Sequence, residues 1–397
     1  MANYLEFFRC LECSEEHPPE YADYLCRSCG GNLNAVYDYT GIGREFSVEK
    51  LKSNNDQTVW RYSPLFPFKD RKNVPRLQME LTPLYRDRQL ELETGAETVY
   101  LKDDTRLPSA SFKDRASSVV MAVAIEKGVD RVACASTGNA GCSWACMGAA
   151  CGMPVIIFVP ASAPEAKIAQ LEVYGADVRK VDGSYDEAFS LCVEECEKHG
   201  YFNRNTGFNP FTREGKKSVS FEIWEQLGYQ APGSVFVPVG DGNIISGVWK
   251  GFSDLKELGL IAEMPSIFGV QSSASDAISR TVKKIDEGRE DLNDFKMEIV
   301  SASTRADSIA VDKPSDGVAA VRAILETDGK AITVSDEQIL ENIGELASNT
   351  GIFAEPAGVT SVTGLREFAK AGGKIPSPAV ALITGNGLKD VKAVLEG

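Results

Sequence analysis

From residue 97 onward the chain alternates between two kinds of patterned segment. ETVYLKD near 97–103, RVACAS, the continuous apolar run PVIIFVP, and ADVRKVD read as strands. Between them, Asp114 to Lys127 reads as a helix stopped by Gly128. GCSWACMGAACG, PEAKIAQLEVYG and YDEAFSLCVEECEKHG read as further helices. The pattern resumes beyond residue 210. REGKKSVSFEIWEQLG, ISGVWKGFSDLKELG, DGVAAVRAILETDG and DEQILENIGELASNTG are expected helices; SVFVPVG, SIFGVQ, KAITVSD and AVALITG are expected strands.

Strands alternating with helices imply an α/β protein with parallel sheets covered on both faces. Ligands in such sheets bind beyond the C-terminal ends of the strands. Three glycine-rich loops fall there: STGNAG (136–141), GDGN (240–243) and TGNG (384–387). The first 45 residues have another character, rich in cysteine, aromatic residues, Asn and Gly, and residues 46 to about 80 read as irregular.

Composition narrows the function classes. The chain has 397 residues, enough for two or three domains, with 43% hydrophobic and 25% charged residues, which is ordinary for a globular protein. A formal net charge of -15 repels phosphate backbones and anionic membranes, so nucleic acid is not an expected partner. No apolar run approaches the roughly 18 residues a membrane span needs. MANYLEFFRC lacks the pattern of a signal peptide, so a cytoplasmic location is expected.

Cys10-x2-Cys13 and Cys26-x2-Cys29 form two knuckles able to offer four thiolates to one tetrahedral zinc ion. Four thiolates leave no open position, so the expected role is structural; reduced thiols without metal are the alternative. Cys134, Cys142, Cys146, Cys151, Cys192 and Cys196 read as small hydrophobes. The two histidines have plain readings: His17 lies beside the cysteine cluster and His199 ends a helix. Proton transfer therefore points away from histidine and towards a lysine on a cofactor.

The candidate lysine is Lys113, in SASFKDR (109–115), between a small-residue loop and a helix start. A helix N-terminus disfavours a cation, which helps lower the amine pKa for attack on an aldehyde. Alone, the segment reads equally as a surface lysine beside Asp114. With the loops it gains partners: GDGN can turn backbone N–H groups toward a phosphate, Asn139 offers an amide and Thr384 a hydroxyl.

That set, in that order, resembles the threonine synthases and their fold-type-II pyridoxal-phosphate relatives. The matching stretches are SFKDR, ASTGNAG, NPF-x-x-EGKKS, PVGDGN, GIFAEPAG and TGNGLKD, spanning residues 82–390. The resemblance implies a cofactor, pyridoxal 5'-phosphate, held as a Schiff base on Lys113. Asn139 would meet its phenolic oxygen, Gly240, Asp241, Gly242, Asn243 and Ile244 its phosphate, and Thr384 its ring nitrogen. Ser136, Thr137 and Gly138 would hold the substrate carboxylate. The fold would be two α/β lobes: residues 46–107 and 206–397 the larger, 108–205 a smaller inserted lobe, and 1–45 a zinc-ribbon-like unit. The implied reaction converts O-phosphohomoserine and water to threonine and phosphate. The partner is thus a small phosphorylated amino acid, and a homodimer is an open alternative to a monomer.

The chain departs from the family pattern at four places, and the altered part is the half that would meet the substrate phosphate. SASFKDR stands where the family writes TGSFKDR. In the loop the family writes PVGNxGN, Asp241 replaces an asparagine and Asn243 a glycine. Thr212 stands where an arginine precedes the EGxK glutamate, with Arg213 one residue on, and Asn386 replaces a histidine. Lys102 and Arg204 are candidate replacement cations. The altered half leaves room for a sibling enzyme, such as one making cysteate from phosphoserine. A zinc-ribbon binding protein with an inactive enzyme lobe is the alternative of another class.

Overall fold

The computed structural model describes residues 3–395 except residue 22. Its strands are β1 (Leu5–Cys10), β2 (Glu16–His17), β3 (Leu33–Tyr37), β4 (Leu84–Arg86), β5 (Val99–Asp103), β6 (Val132–Ala135) and β7 (Val155–Pro160). They continue with β8 (Asp177–Val181), β9 (Phe202–Asn203), β10 (Ser234–Pro238), β11 (Ser266–Ser272), β12 (Ala331–Val334) and β13 (Ala379–Ile383). No helix among the described residues is long and apolar enough to cross a membrane.

The chain divides into two compact units. The first holds Met1–Glu80 and Leu107–Lys216, the second Leu81–Arg106 and Lys217–Gly397. Among its described residues the first unit has a three-stranded sheet ordered β2-β1-β3 and a four-stranded sheet ordered β8-β7-β6-β9. The small sheet is antiparallel and the larger parallel. The second unit has one sheet ordered β12-β11-β10-β13-β5-β4, parallel except where β4 runs against β5.

Strand burial follows from sequence. Val155–Val159 are buried throughout, as a strand covered by helices on both faces requires. Each fully buried aliphatic side chain there contributes roughly 1.5–3 kcal/mol. Helix ends follow local chemistry too. Ser184 and Glu187 form a capping box opening Tyr185–His199, which Gly200 closes in a left-handed conformation. Ser335 and Gln338 do the same for Asp336–Thr350, closed by Gly351.

The division differs from the expected one. Residues 46–80 join the unit holding 107–216, and residues 1–45 are part of that unit. The reason is tertiary: Lys69 N donates to Glu126 Oε2 at 2.7 Å, Tyr37 Oη donates to Glu214 Oε2 at 2.6 Å and Arg213 Nη1 donates to Leu33 O at 3.0 Å. The expected helix over 213–228 is also split. Phe211–Lys216 belongs to the first unit and Ser218–Gln226 to the second, with the break at Lys217. Five of the six scattered cysteines are buried and Cys151 is half-buried, all as free thiols.

Candidate active site

In the first unit the expected residues gather around one helix start and one strand end. Helix Lys113–Glu126 begins at Lys113, which is half-buried. The loop before it is closed by Asp114, whose carboxylate accepts from Ser109 N and Ser109 Oγ, both at 2.6 Å. That closure puts Ala110 at φ 61, in the left-handed region. This is the position where the family writes glycine, so Ala110 holds strained backbone in the loop before Lys113. Ser111 Oγ is buried and has no hydrogen-bond partner in the protein.

Ser136, Thr137 and Gly138 follow the C-terminal end of β6, and Asn139 is the first residue of helix Asn139–Cys151. Its N-cap residue is Gly138, which makes no side-chain cap bond. Asn205, which sequence reasoning did not single out, anchors the strand end: its Oδ1 accepts from Ala135 N at 2.7 Å.

In the second unit the loop Gly240–Asn243 follows β10 and Thr384 follows β13, so two neighbouring parallel strands end at the same sheet edge. Gly242 has φ +91, and an added Cβ would lie 2.6 Å from Asp316 O, so only glycine fits there. Helix Asn243–Glu257 starts with no side-chain cap on its N-cap residue. Asp241 nevertheless turns its carboxylate onto its own loop, accepting from Asn243 N at 3.0 Å. Asp316, fully buried, fixes the loop from below: its Oδ2 accepts from Asn243 Nδ2 at 2.7 Å and from Ser246 Oγ. Asn243 Oδ1 is buried and has no protein partner. Asp316 carried no sequence signal, because it lies 73 residues from Asn243.

These features fit pyridoxal phosphate. An amine sits at a helix start beside the unpartnered Ser111 hydroxyl, and a glycine-bounded helix N-terminus carries an unpartnered amide oxygen.

Two expected residues have other positions. Lys102 is no substrate cation, because its ammonium is fully buried. It donates to Thr82 O at 2.7 Å, Glu222 Oε2 at 2.6 Å and Gln226 Oε1 at 2.8 Å, which uses all three N–H bonds. Arg204 is also interior, at 1% exposure, and donates to Ser117 Oγ and Thr206 Oγ1. The other departures have structural partners as well. Thr212 Oγ1 donates to Asn209 O, and Asn386 Oδ1 accepts from Leu388 N. A cavity of about 530 Å³ opens beyond the C-terminal end of β11. Arg280 in its lining is paired with Asp276 at 2.7 Å.

The four clustered cysteines come together: their sulfurs lie within 4.8 Å of one another. The Cys10–Cys29 separation is 3.4 Å and the Cys13–Cys26 separation 3.6 Å. Tetrahedral zinc with Zn–S near 2.3 Å sets sulfurs roughly 3.8 Å apart, so the set fits that ion. Burial pushes the Cys10 thiol up to about 12, so metal uptake must displace its proton and weakens as pH falls.

The fold is that of a pyridoxal-phosphate enzyme, and the chain belongs to that family: the model of the pyridoxal-phosphate dependent enzymes matches residues 76–385. Within it, the chain is similar to the threonine synthases. It is 36% identical to that of Methanocaldococcus jannaschii over 98% of this chain and 94% of the relative. It is 35% identical to that of Methanosarcina acetivorans over 98% and 93%. Among solved structures, the processed form of threonine deaminase isoform 2 from Solanum lycopersicum matches with a TM-score of 0.68 at 22% identity, over 82% of this chain and 84% of that one. Maize serine racemase matches with 0.67 at 20% identity, over 80% and 91%. These two show the shared fold.

Two outcomes are expected at the loops. Left-handed backbone costs an alanine about 1–2 kcal/mol and glycine costs about 0.5–1 in lost freedom. Ala110→Gly should therefore stabilise the protein by about 0.5–1 kcal/mol in denaturant unfolding; destabilisation would contradict the strain. Asp241→Asn keeps an acceptor for Asn243 N and removes the negative charge. The apo variant should bind pyridoxal phosphate at least as tightly as wild type, by absorbance titration; weaker binding would give the carboxylate another role.

Proposed function

We propose that the protein is a threonine synthase, converting O-phosphohomoserine and water to L-threonine and phosphate. The observation that carries this reading is Lys113 at the start of its helix, in a chain similar to threonine synthases over nearly its whole length.

When bound, pyridoxal phosphate delocalises the electron pair left on the substrate when its α-proton is removed. The chain supplies the rest. Gly240–Ile244 bind the cofactor phosphate through backbone N–H groups at the start of a helix. Asn139 orients the ring through its phenolic oxygen. Thr384 offers the ring nitrogen a hydroxyl, which does not favour a protonated ring as a carboxylate would. Ser136, Thr137 and Gly138 hold the substrate carboxylate at an uncapped helix N-terminus. Lys113 Nζ takes the α-proton and returns protons later. In the net reaction the Cγ–O bond breaks and phosphate leaves. One Cβ–H bond also breaks, Cγ gains a proton to become the methyl group, and the hydroxyl of water adds at Cβ; the protons released by Cβ and by water balance those taken up by Cγ and by the phosphate.

The four cysteines hold one structural zinc in the same reading. A cytoplasmic location, and a homodimer as the alternative to a monomer, also belong to it. A second reading, a sibling enzyme acting on phosphoserine, is favoured by one observation. Thr212 stands at the family's arginine position, and Arg213 beside it donates to Leu33 O.

Phosphate release from phosphohomoserine against phosphoserine separates the readings; faster turnover of phosphoserine would overturn the first. Lys113→Ala should lose at least the roughly 10²–10⁴-fold that a general base supplies, with the protein still folded. Borohydride reduction of wild type followed by peptide mapping should find the cofactor on Lys113, and a different lysine would refute the assignment. Protein purified without added zinc should carry about one equivalent per chain. Less than about a tenth, in folded active protein, would remove the metal from the account.

A further inference from the structure

A four-thiolate zinc site is ordinarily a staple for a lobe too small to fold alone. The cysteine unit here is bound into the first unit by more than that role needs. Cys10 and Leu33 are register partners at one end of the β1–β3 pair, and Leu5 and Tyr37 at the other. Fixing the sulfur of Cys10 therefore fixes the start of β3. From β3 and its flanks a row of contacts reaches residues 202–216. Tyr24 Oη accepts from Asn203 N at 3.0 Å, and Asn32 Nδ2 donates to Gly207 O. Arg213 Nη1 donates to Leu33 O at 3.0 Å, and Phe8 packs edge-on against Phe211 with centroids 5.6 Å apart. Tyr37 Oη donates to Glu214 Oε2 at 2.6 Å, with both residues buried. A charge-assisted bond in that setting is short, directional and costly to lose.

Residues 202–216 touch the catalytic elements at two places. An added Cβ on Gly215 would lie 2.2 Å from Arg115 O, so the helix Phe211–Lys216 lies backbone to backbone against the first turn of the Lys113 helix. Asn205 Oδ1 holds Ala135 N, immediately before Ser136. A shift of Glu214 is thereby a shift of the backbone that carries Lys113.

We propose that the cysteine unit is a positioning element for Lys113, acting through the Tyr37–Glu214 bond, so that metal occupancy sets turnover as well as stability. The proposal rests on the reading of Lys113 as the cofactor lysine. Tyr37 is a positioning residue: it acts through Glu214 and Gly215 and is assigned no contact with substrate.

The test uses the zinc- and cofactor-loaded full chain. Tyr37→Phe keeps the ring and removes the hydroxyl. The variant should retain its zinc and its cofactor. Its kcat should fall about 10-fold at nearly unchanged KM, as a small misplacement of a reacting group predicts. The pH midpoint of the visible band of the lysine-bound cofactor should shift in the same variant. Removing zinc with a chelator should lower wild-type kcat by a similar factor, reversed by adding zinc back, and should add little in Tyr37→Phe. Unchanged kcat and band in a zinc-loaded Tyr37→Phe would overturn the proposal. An equal loss on zinc removal in both backgrounds would overturn it too, since the metal would then act as a staple alone. If wild type turns over neither phosphohomoserine nor phosphoserine, the proposed function fails, while the band shift still decides the role of Tyr37.

Discussion

Backbone packed against backbone, with no side chain between, is the constraint on which the rest of the structure depends. At Gly215 the space for a Cβ is already taken by the carbonyl of Arg115. At Gly242 it is taken by that of Asp316. The first approach seats the EGKK segment on the helix that begins at Lys113, and the second seats the Gly240–Asn243 loop on the backbone of Asp316. A methyl group at Gly215 would push its helix off the Lys113 helix, and one at Gly242 would push its loop off residue 316. The glycines act by what they omit.

Charge is handled with equal economy inside the second unit. Asp316 accepts from Asn243 and Ser246. Lys102 is satisfied by Glu222 and two neutral oxygens. Lys217 and Lys250 share Asp254, where burial works against the carboxylate but the two ammonium groups outweigh it and lower its pKa. Buried charges arranged in this way hold helices in register and are closed to ligands, because their donors already have acceptors. Positions where the chain departs from the family pattern have the same character. Thr212, Arg213 and Asn386 each have a structural partner. Asp241 caps its own loop.

The cysteine unit shows how a small element gains meaning from what it touches. Its spacing describes a metal site and nothing more. The contacts of Tyr24, Asn32, Leu33 and Tyr37 with residues 203–214 make it the backing of a segment that bears on Lys113. A buried phenol on a buried carboxylate is a demanding contact, and a merely tethered lobe would not require it.

The sequence by itself determined the alternation of strand and helix, the parallel sheets, the glycine loops at strand ends and Lys113 at a helix start. It also determined the grouping of four cysteines. Each of these is written within about one helix length, where apolar spacing, capping residues and knuckle spacing act on near neighbours. The glycine that the family pattern writes at position 110 is a matter of resemblance, and the left-handed φ of Ala110 explains it. The tertiary structure alone decided the burial of Lys102 against a residue 120 positions away, and the lock of Asp316 on Asn243 across 73. It alone decided the bond of Tyr37 to Glu214 across 177, and the boundary that puts residues 46–80 in the first unit. Such pairings leave no local mark, because the spacing between partners is set by the topology of the whole chain, and a lysine destined for a buried carboxylate reads in sequence like one destined for a phosphate.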